Sequence, residues 1–292
     1  MIYKYYKYIV IKYIVFIMDI LIININYLYF KLNIKKHNMF FNNSPLDQFI
    51  IRNLFSIKAD LLGNIQWSLT NIGLYLIITT LIIFMLYTLA TNYNLTTPNN
   101  WSLAIESIYA TVFSIVANQI NAKKGQMFFP LISALFIYIL INNLVGMVPY
   151  SFAPTSHFIL TFSISFTIVI GATILGFQIH SLKFFSLLVP SGCPLGLLPL
   201  LVLIEFISYL SRNVSLGLRL GANILSGHML LNILAGFTYN IMKKGIIYFF
   251  LGLVPLLFIL AFSGLEIGIA FIQAQVFVVL SSSYIKDSLE MH

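Results

Sequence analysis

Between residues 205 and 232 an otherwise apolar stretch holds a carboxylate (Glu205), two guanidiniums (Arg212 and Arg219) and an imidazole (His228). A charge at mid-bilayer depth costs at least ~2.5–3.5 kcal/mol on insertion scales, so ionisable groups there mark a functional candidate. Their spacing aligns them. At 100° per residue, Glu205, Ser208, Arg212, Ser215, Arg219, Asn223 and Ser226 project within one sector of about 80°. That is a polar stripe along roughly 30 Å of helix. A second face carries Gly217, Gly221, His228 and Asn232. The Gly217/Gly221 pair has the Gly-x-x-x-Gly spacing that lets a neighbouring helix pack closely.

The residue types suggest proton chemistry. Arginine keeps its charge at any physiological pH, whereas carboxylates and histidine exchange protons. A fixed cation between exchangeable groups is the layout of a proton path with a blocking gate. Arg219 would stop direct leakage and lower the pKa of a carboxylate brought beside it. A carboxylate on a moving partner would release its proton there and regain one after leaving. One charge moved through the membrane potential gains ~2.3 kcal/mol per 100 mV, the right order to drive such a cycle. Arg212 is equally well read as a snorkelling or structurally paired side chain. His157 and His180 fall at the ends of apolar runs and read as interfacial, and Glu106 and Asp60 as solvated. Gln273 fits a helix–helix hydrogen bond as well as it fits the path.

The elements that must carry these residues follow from composition. The chain has 292 residues, of which 60% are hydrophobic and 8% charged, where a soluble domain carries about 25% charged. The ten-residue alternating segments of a transmembrane barrel are absent from the sequence. The fold class expected is an all-α polytopic membrane protein. Eight of the sixteen Lys and Arg lie in residues 1–60, so the net charge of +8 belongs to the N-terminus and gives no case for nucleic acid. The single cysteine, Cys193, leaves no disulfide framework and no cysteine-rich metal site. Neither a metal nor a cofactor is expected.

Residues 1–38 are almost wholly Ile, Tyr, Lys, Asn, Phe and Leu. They fit a membrane anchor, a targeting segment, or translated upstream sequence with Met39 as the start; the last is favoured. Residues 44–62 read as a polar-to-amphipathic lead-in. Spans are expected at about 72–90, 128–148 and 157–179, each near the ~20 residues that cross a bilayer. Trp101 to Gln119 reads as a surface helix, because Ser107, Thr111, Ser114 and Asn118 recur at helical spacing. Lys123, Lys124 and Gly125 are expected to form the turn after it. Pro190 to Pro199 reads as a broken connector. Two long runs follow, about 200–240 and 245–285, joined at Lys243-Lys244. Each would be about 60 Å as helix against a hydrocarbon core of ~30 Å, so each must break or tilt strongly. On the last run Ser263, Glu266, Gln273, Ser281 and Tyr284 share one sector of about 80°.

The stretch Ser-Leu-Gly-Leu-Arg219-Leu-Gly-Ala-Asn223-Ile-Leu-Ser-Gly-His228 resembles the signature of subunit a of F-type ATP synthases, in its mitochondrial form. Ser44-Pro-Leu-Asp-Gln-Phe resembles the mature start of fungal members. Met147-Val-Pro-Tyr-Ser-Phe, Phe185-Ser-Leu-Leu-Val-Pro-Ser-Gly and Ile285-Lys-Asp fit as well, so the resemblance covers 39–292. It implies that Arg219 separates two aqueous half-channels and faces the carboxylate of the c-ring. It places Glu205 on the matrix-side exit path, and His228 and Glu266 on the uptake path from the intermembrane space. Asn223 and Gln273 become polar neighbours of the arginine, and the two long helices become a tilted hairpin curved around the c-ring. The implied partners are the c-ring, other Fo and peripheral-stalk subunits and membrane lipid. The implied location is the mitochondrial inner membrane, and the subunit is non-catalytic on its own. Residues 1–43 have no place in the mature family chain and are expected to be absent from it, leaving 44–292 as the membrane-embedded domain. Asn213 stands where bacterial members often have proline.

Two other classes fit less well. A b-type cytochrome needs paired axial histidines, and only His157, His180 and His228 lie in or near apolar runs. A secondary transporter built on internal repeats would show the 205–232 pattern twice, and it occurs once.

Overall fold

Apolar runs of twenty or more residues satisfy every backbone polar group internally when they coil into helices, and that rule builds this fold. The computed structural model describes residues 46–59, 65–91, 99–120, 122–148, 151–181, 184 and 198–289. The expectations for residues 1–43, for Ser44, and for most of the 190–199 connector lie outside the described residues. The helices are α1 (Asn71–Ala90), α2 (Asn100–Ile120), α3 (Ala122–Gly146), α4 (Phe158–His180), α5 (Leu198–Met242) and α6 (Ile246–Leu289). All six are long and apolar enough to cross a membrane. The chain is an all-α polytopic membrane protein by this measure, with one small exception.

The exception is an antiparallel hairpin before α1, made of β1 (Asn53–Ala59) and β2 (Ile65–Thr70), with Ser56 opposite Ser68 and Lys58 opposite Gln66. The lead-in reading of this segment missed the strands. Residues 65–70 (Ile-Gln-Trp-Ser-Leu-Thr) do alternate with the period of two that marks a strand. Thr70 closes the hairpin and opens α1, its hydroxyl accepting from the Gly73 N–H at 3.5 Å.

Ser107, Thr111 and Ser114 of the α2 stripe each donate to the carbonyl three residues back, at 2.7 Å. Those three hydroxyls are satisfied within their own helix, and α2 also meets the length and apolarity of a span.

The turn expected at Lys123-Lys124-Gly125 is not one. These residues form the first turn of α3, which starts two residues after α2 ends. Gly125 serves close packing instead. A Cβ there would come within 2.8 Å of Val116 Cγ1 on α2.

Helix α3 is the centre of the bundle. Ile132, Phe136 and Ile139 are fully buried, and the core extends to Leu76 of α1, Val112 and Val116 of α2, Leu160 and Ile164 of α4 and Phe277 and Val278 of α6. Pro130 sits in its N-terminal part without ending it. At its C-terminus Ser151 donates to the carbonyls of Val145 (2.7 Å) and Gly146 (3.0 Å), serving two of the acceptors a helix end leaves open.

The two long runs are unbroken helices of 45 and 44 residues. Pro199 sits in the first turn of α5, where its missing N–H costs nothing. Pro255 lies inside α6 and the helix continues past it. A turn at Lys243-Lys244 and Gly245 reverses the chain, and Gly245 has φ +152, a conformation side chains disfavour. Met242 packs against Gly252, and Glu266 against Gly227, which fixes the antiparallel register of the hairpin.

Candidate functional site

The polar stripe of α5 faces outward. Arg212 and Glu205, two turns apart, form an ion pair at 3.6 Å, with side chains 51% and 39% exposed. Arg219 is exposed and makes no ion pair within 4 Å among the described residues. Its neighbours on the same face of the helix are polar: Ser215, one turn back, is exposed, and Asn223 lies one turn on. Asn223, one turn on, is half-buried, and its carbonyl accepts the Ser226 hydroxyl at 3.1 Å. The hairpin register brings Gln273 of α6 level with Leu220 of α5, and Gln273 is half-buried.

The opposite face of α5 is packed. A Cβ on Gly217 would lie 2.8 Å from the Phe162 ring, and one on Gly221 would lie 3.0 Å from Phe158 and 3.1 Å from Thr161 Oγ1. The Gly-x-x-x-Gly pair is thus the seat of α4 on α5. One turn earlier Ser165 of α4 donates to Asn213, reaching both its side-chain oxygen (2.7 Å) and its carbonyl (2.8 Å). Sequence reading noted Asn213 only as a replacement for proline. Its role here is an interhelical hydrogen bond.

His228 and Glu266 are buried, at 7% and 9% exposure. Glu266 lies against Gly227, the residue before His228. His228 Nε2 lies 3.7 Å from where a Gly146 Cβ would stand, at the C-terminal end of α3, and its ring meets Phe49 edge-on at 6.3 Å. Neither Glu266 oxygen, nor His228 Nε2, has a hydrogen-bond partner among the described residues. Asn143 of α3 donates to the Ala270 carbonyl at 3.4 Å, one turn along α6 from Glu266. Asn232 donates to the Gln48 side chain.

The stripe residues of the two long helices therefore fall into two groups. Arg219, Asn223, Arg212 and Glu205 lie on or near the outer α5 surface, and His228 and Glu266 lie in the seam between α3, α5 and α6. Asn142-Asn143 read as an interruption of the 128–148 span, and neither Asn143 nor Gln48 was assigned a role from the sequence. The paired asparagines at 142–143 were a readable signal, because an amide in an apolar run must find a partner. Gln48 had no such mark. His180 is far along the chain from this seam and sits 3.3 Å from the Leu289 carbonyl at the other end of the bundle.

The sequence family described as ATP synthase A chain matches residues 73–286. The chain belongs to that family. Among its relatives, the ATP synthase subunit a of Podospora anserina is 71% identical over 252 residues, which is 86% of this chain and 96% of the relative. The Penicillium chrysogenum subunit a is 75% identical over 249 residues, covering 85% and 97%. That of Eremothecium gossypii is 45% identical over 261 residues, covering 89% and 99%. Membership in the A chain family, with six apolar helices, places this chain among the multi-pass membrane subunits of ATP synthases that move protons.

Proposed function

We propose that this chain is the proton-translocating, non-catalytic stator subunit of an Fo motor, with Arg219 as the gate between two aqueous half-channels. The observation that carries the reading is the separation of the two groups: an exposed guanidinium with no ion pair among the described residues, on the outward polar stripe of α5, and a buried His228 and Glu266 behind it, with no hydrogen-bond partner among those residues for Nε2 or either carboxylate oxygen. A permanent cation on a lipid-depth surface is costly unless a carboxylate passes in front of it. The c-ring supplies that carboxylate. Protons reach it through His228 and Glu266 and leave past Glu205, with Asn223 and Gln273 flanking Arg219. Gly217 and Gly221 hold α5 against α4 so that the outer face stays presented.

In this reading the 45- and 44-residue helices tilt strongly against the ring, which is how such lengths fit a ~30 Å core. Helix α2 lies along the membrane surface. Other Fo and peripheral-stalk subunits and lipid cover the remaining apolar faces, in the mitochondrial inner membrane. Residues 44–292 form the embedded domain and 1–43 are removed.

The test is Arg219→Ala in the assembled complex. ATP-driven proton pumping should be abolished while the subunit still assembles. Coupled pumping at the parental rate would sink the gate. Cross-linking of Asn223→Cys to a cysteine beside the c-subunit carboxylate should give a specific adduct. A complex that contains both subunits and yields none would put the stripe elsewhere.

A further inference from the structure

Eight buried side-chain polar atoms have no hydrogen-bond partner among the described residues. Such groups are costly to bury, and native folds keep few of them. They are not scattered. They belong to Tyr138, Asn142 and Asn143 of α3, Thr155 and His157 of the turn before α4, His228 of α5 and Glu266 of α6.

Packing contacts join several of them into a row. Glu266 rests on Gly227, and the next residue, His228, has Nε2 against Gly146. A Gly146 Cβ would lie 2.8 Å from Ala153 Cβ, so the 151–157 turn packs on the same spot. Within that turn Ser156 donates to the Ala153 carbonyl (2.7 Å) and the His157 N–H to the Pro154 carbonyl (3.2 Å), which holds Thr155 and His157 in place. The His157 ring stacks on Phe152 at 5.2 Å, yet its Nε2 is buried without a partner. Thr155 is fully buried and its hydroxyl is likewise unpartnered. His157 also caps the end of α4 remote from His180, so the row runs from mid-bundle to one end of a span. Helix α1, packed on this turn, carries no charged residue; its titratable groups are Tyr75 and Tyr87. The lysines of α3 are at its far end, and α5 contributes His228.

We propose that His157 and Thr155 form the outer relay of the uptake path. This rests on the reading of His228 and Glu266 given above and adds the residues that feed them. His157 takes a proton from water at the membrane surface and gives it up to water in the seam, next to the Thr155 hydroxyl. The imidazole returns to its starting state, and the proton passes on toward His228 and Glu266.

The bland alternative is that His157 only packs against Phe152. His157→Phe keeps an aromatic ring there and removes the proton carrier. In intact complex, with assembly checked on native gels, ATP-driven proton pumping by His157→Phe and His157→Gln should fall by about tenfold, a modest loss for an acid–base group. Imidazole in the bathing buffer should restore the rate of His157→Ala. Parental pumping by His157→Phe, or slow His157→Ala that imidazole does not rescue, overturns the relay. Arg219→Ala run in parallel separates the two ideas: if it abolishes pumping while His157→Phe pumps normally, the relay fails and the gate stands. If Arg219→Ala pumps normally, the gate fails and the relay falls with it.

Discussion

At position 227 the absence of a side chain is what lets Glu266 sit inside the bundle. A Cβ there would collide with the carboxylate. Gly236, two and a half turns along the same helix, has nothing within 4 Å of that position. Gly227→Ala should therefore displace Glu266 and slow ATP-driven pumping, while Gly236→Ala should leave it unchanged and favour the helix by up to about 1 kcal/mol. Pumping rate and thermal stability of the assembled complex, measured side by side, check both. The Arg212–Glu205 pair is long and exposed, and such pairs contribute about 0–1 kcal/mol. Arg212→Gln should shift complex stability by no more than that, in contrast to the functional loss expected at Arg219. A pumping defect in Arg212→Gln as severe as in Arg219→Ala would mean that the two arginines act as a unit. The stripe itself was legible because helical periodicity fixes the angle between residues 205 and 226. Which way it faced was not, because periodicity gives relative angles and the direction is set by what α4 and α6 pack against.

At the scale of elements, small residues decide which helices touch. Gly217 and Gly221 admit α4, and Gly125 admits α2 against α3. Gly217→Leu should break the seat of Phe162 and reduce the amount of assembled complex on native gels, whereas Gly171→Leu, at an open position on α4, should assemble normally. Equal assembly of the two would remove the packing role from Gly217. The long helices were legible because no proline interrupts 200–240, and Pro255 turned out to be carried within α6. The turn at 123–125 was misread: lysines and a glycine look like a loop, but here the glycine answers to Val116 across the interface, a contact no local pattern contains. The β-hairpin was missed for a related reason, since strand pairing between 53–59 and 65–70 is a property of two segments together.

At the scale of the whole molecule, His228 and Glu266 lie in a buried seam while Arg219 lies on an exposed face. If that division governs proton flow, Glu266→Gln should slow proton uptake without opening a leak, since Arg219 still blocks the middle. Passive proton permeability of membranes containing the assembled variant checks it; a raised leak would show that Glu266 helps to seal the path. The family was legible from the 215–228 stretch alone, because that combination of glycines, arginine, asparagine and histidine serves several constraints at once. The seam was only half legible. His228 and Glu266 stood out as ionisable, whereas the contact of His157 with Phe152 comes from the turn folding over it and has no local signal.

The hairpin has a mechanical meaning as well. Its two helices are continuous, joined by a short turn, and keyed together near the tip by Met242 on Gly252 and at mid-length by Glu266 on Gly227. Such a pair is a beam rather than a ribbon. A sideways push delivered at Arg219 cannot be absorbed by bending one strand of it. The load passes through Gly217 and Gly221 into α4, and through Phe277 and Val278 into α3. If Arg219 meets a turning partner, as proposed above, that face is braced by the most densely packed part of the chain, and the reaction torque ends in the core.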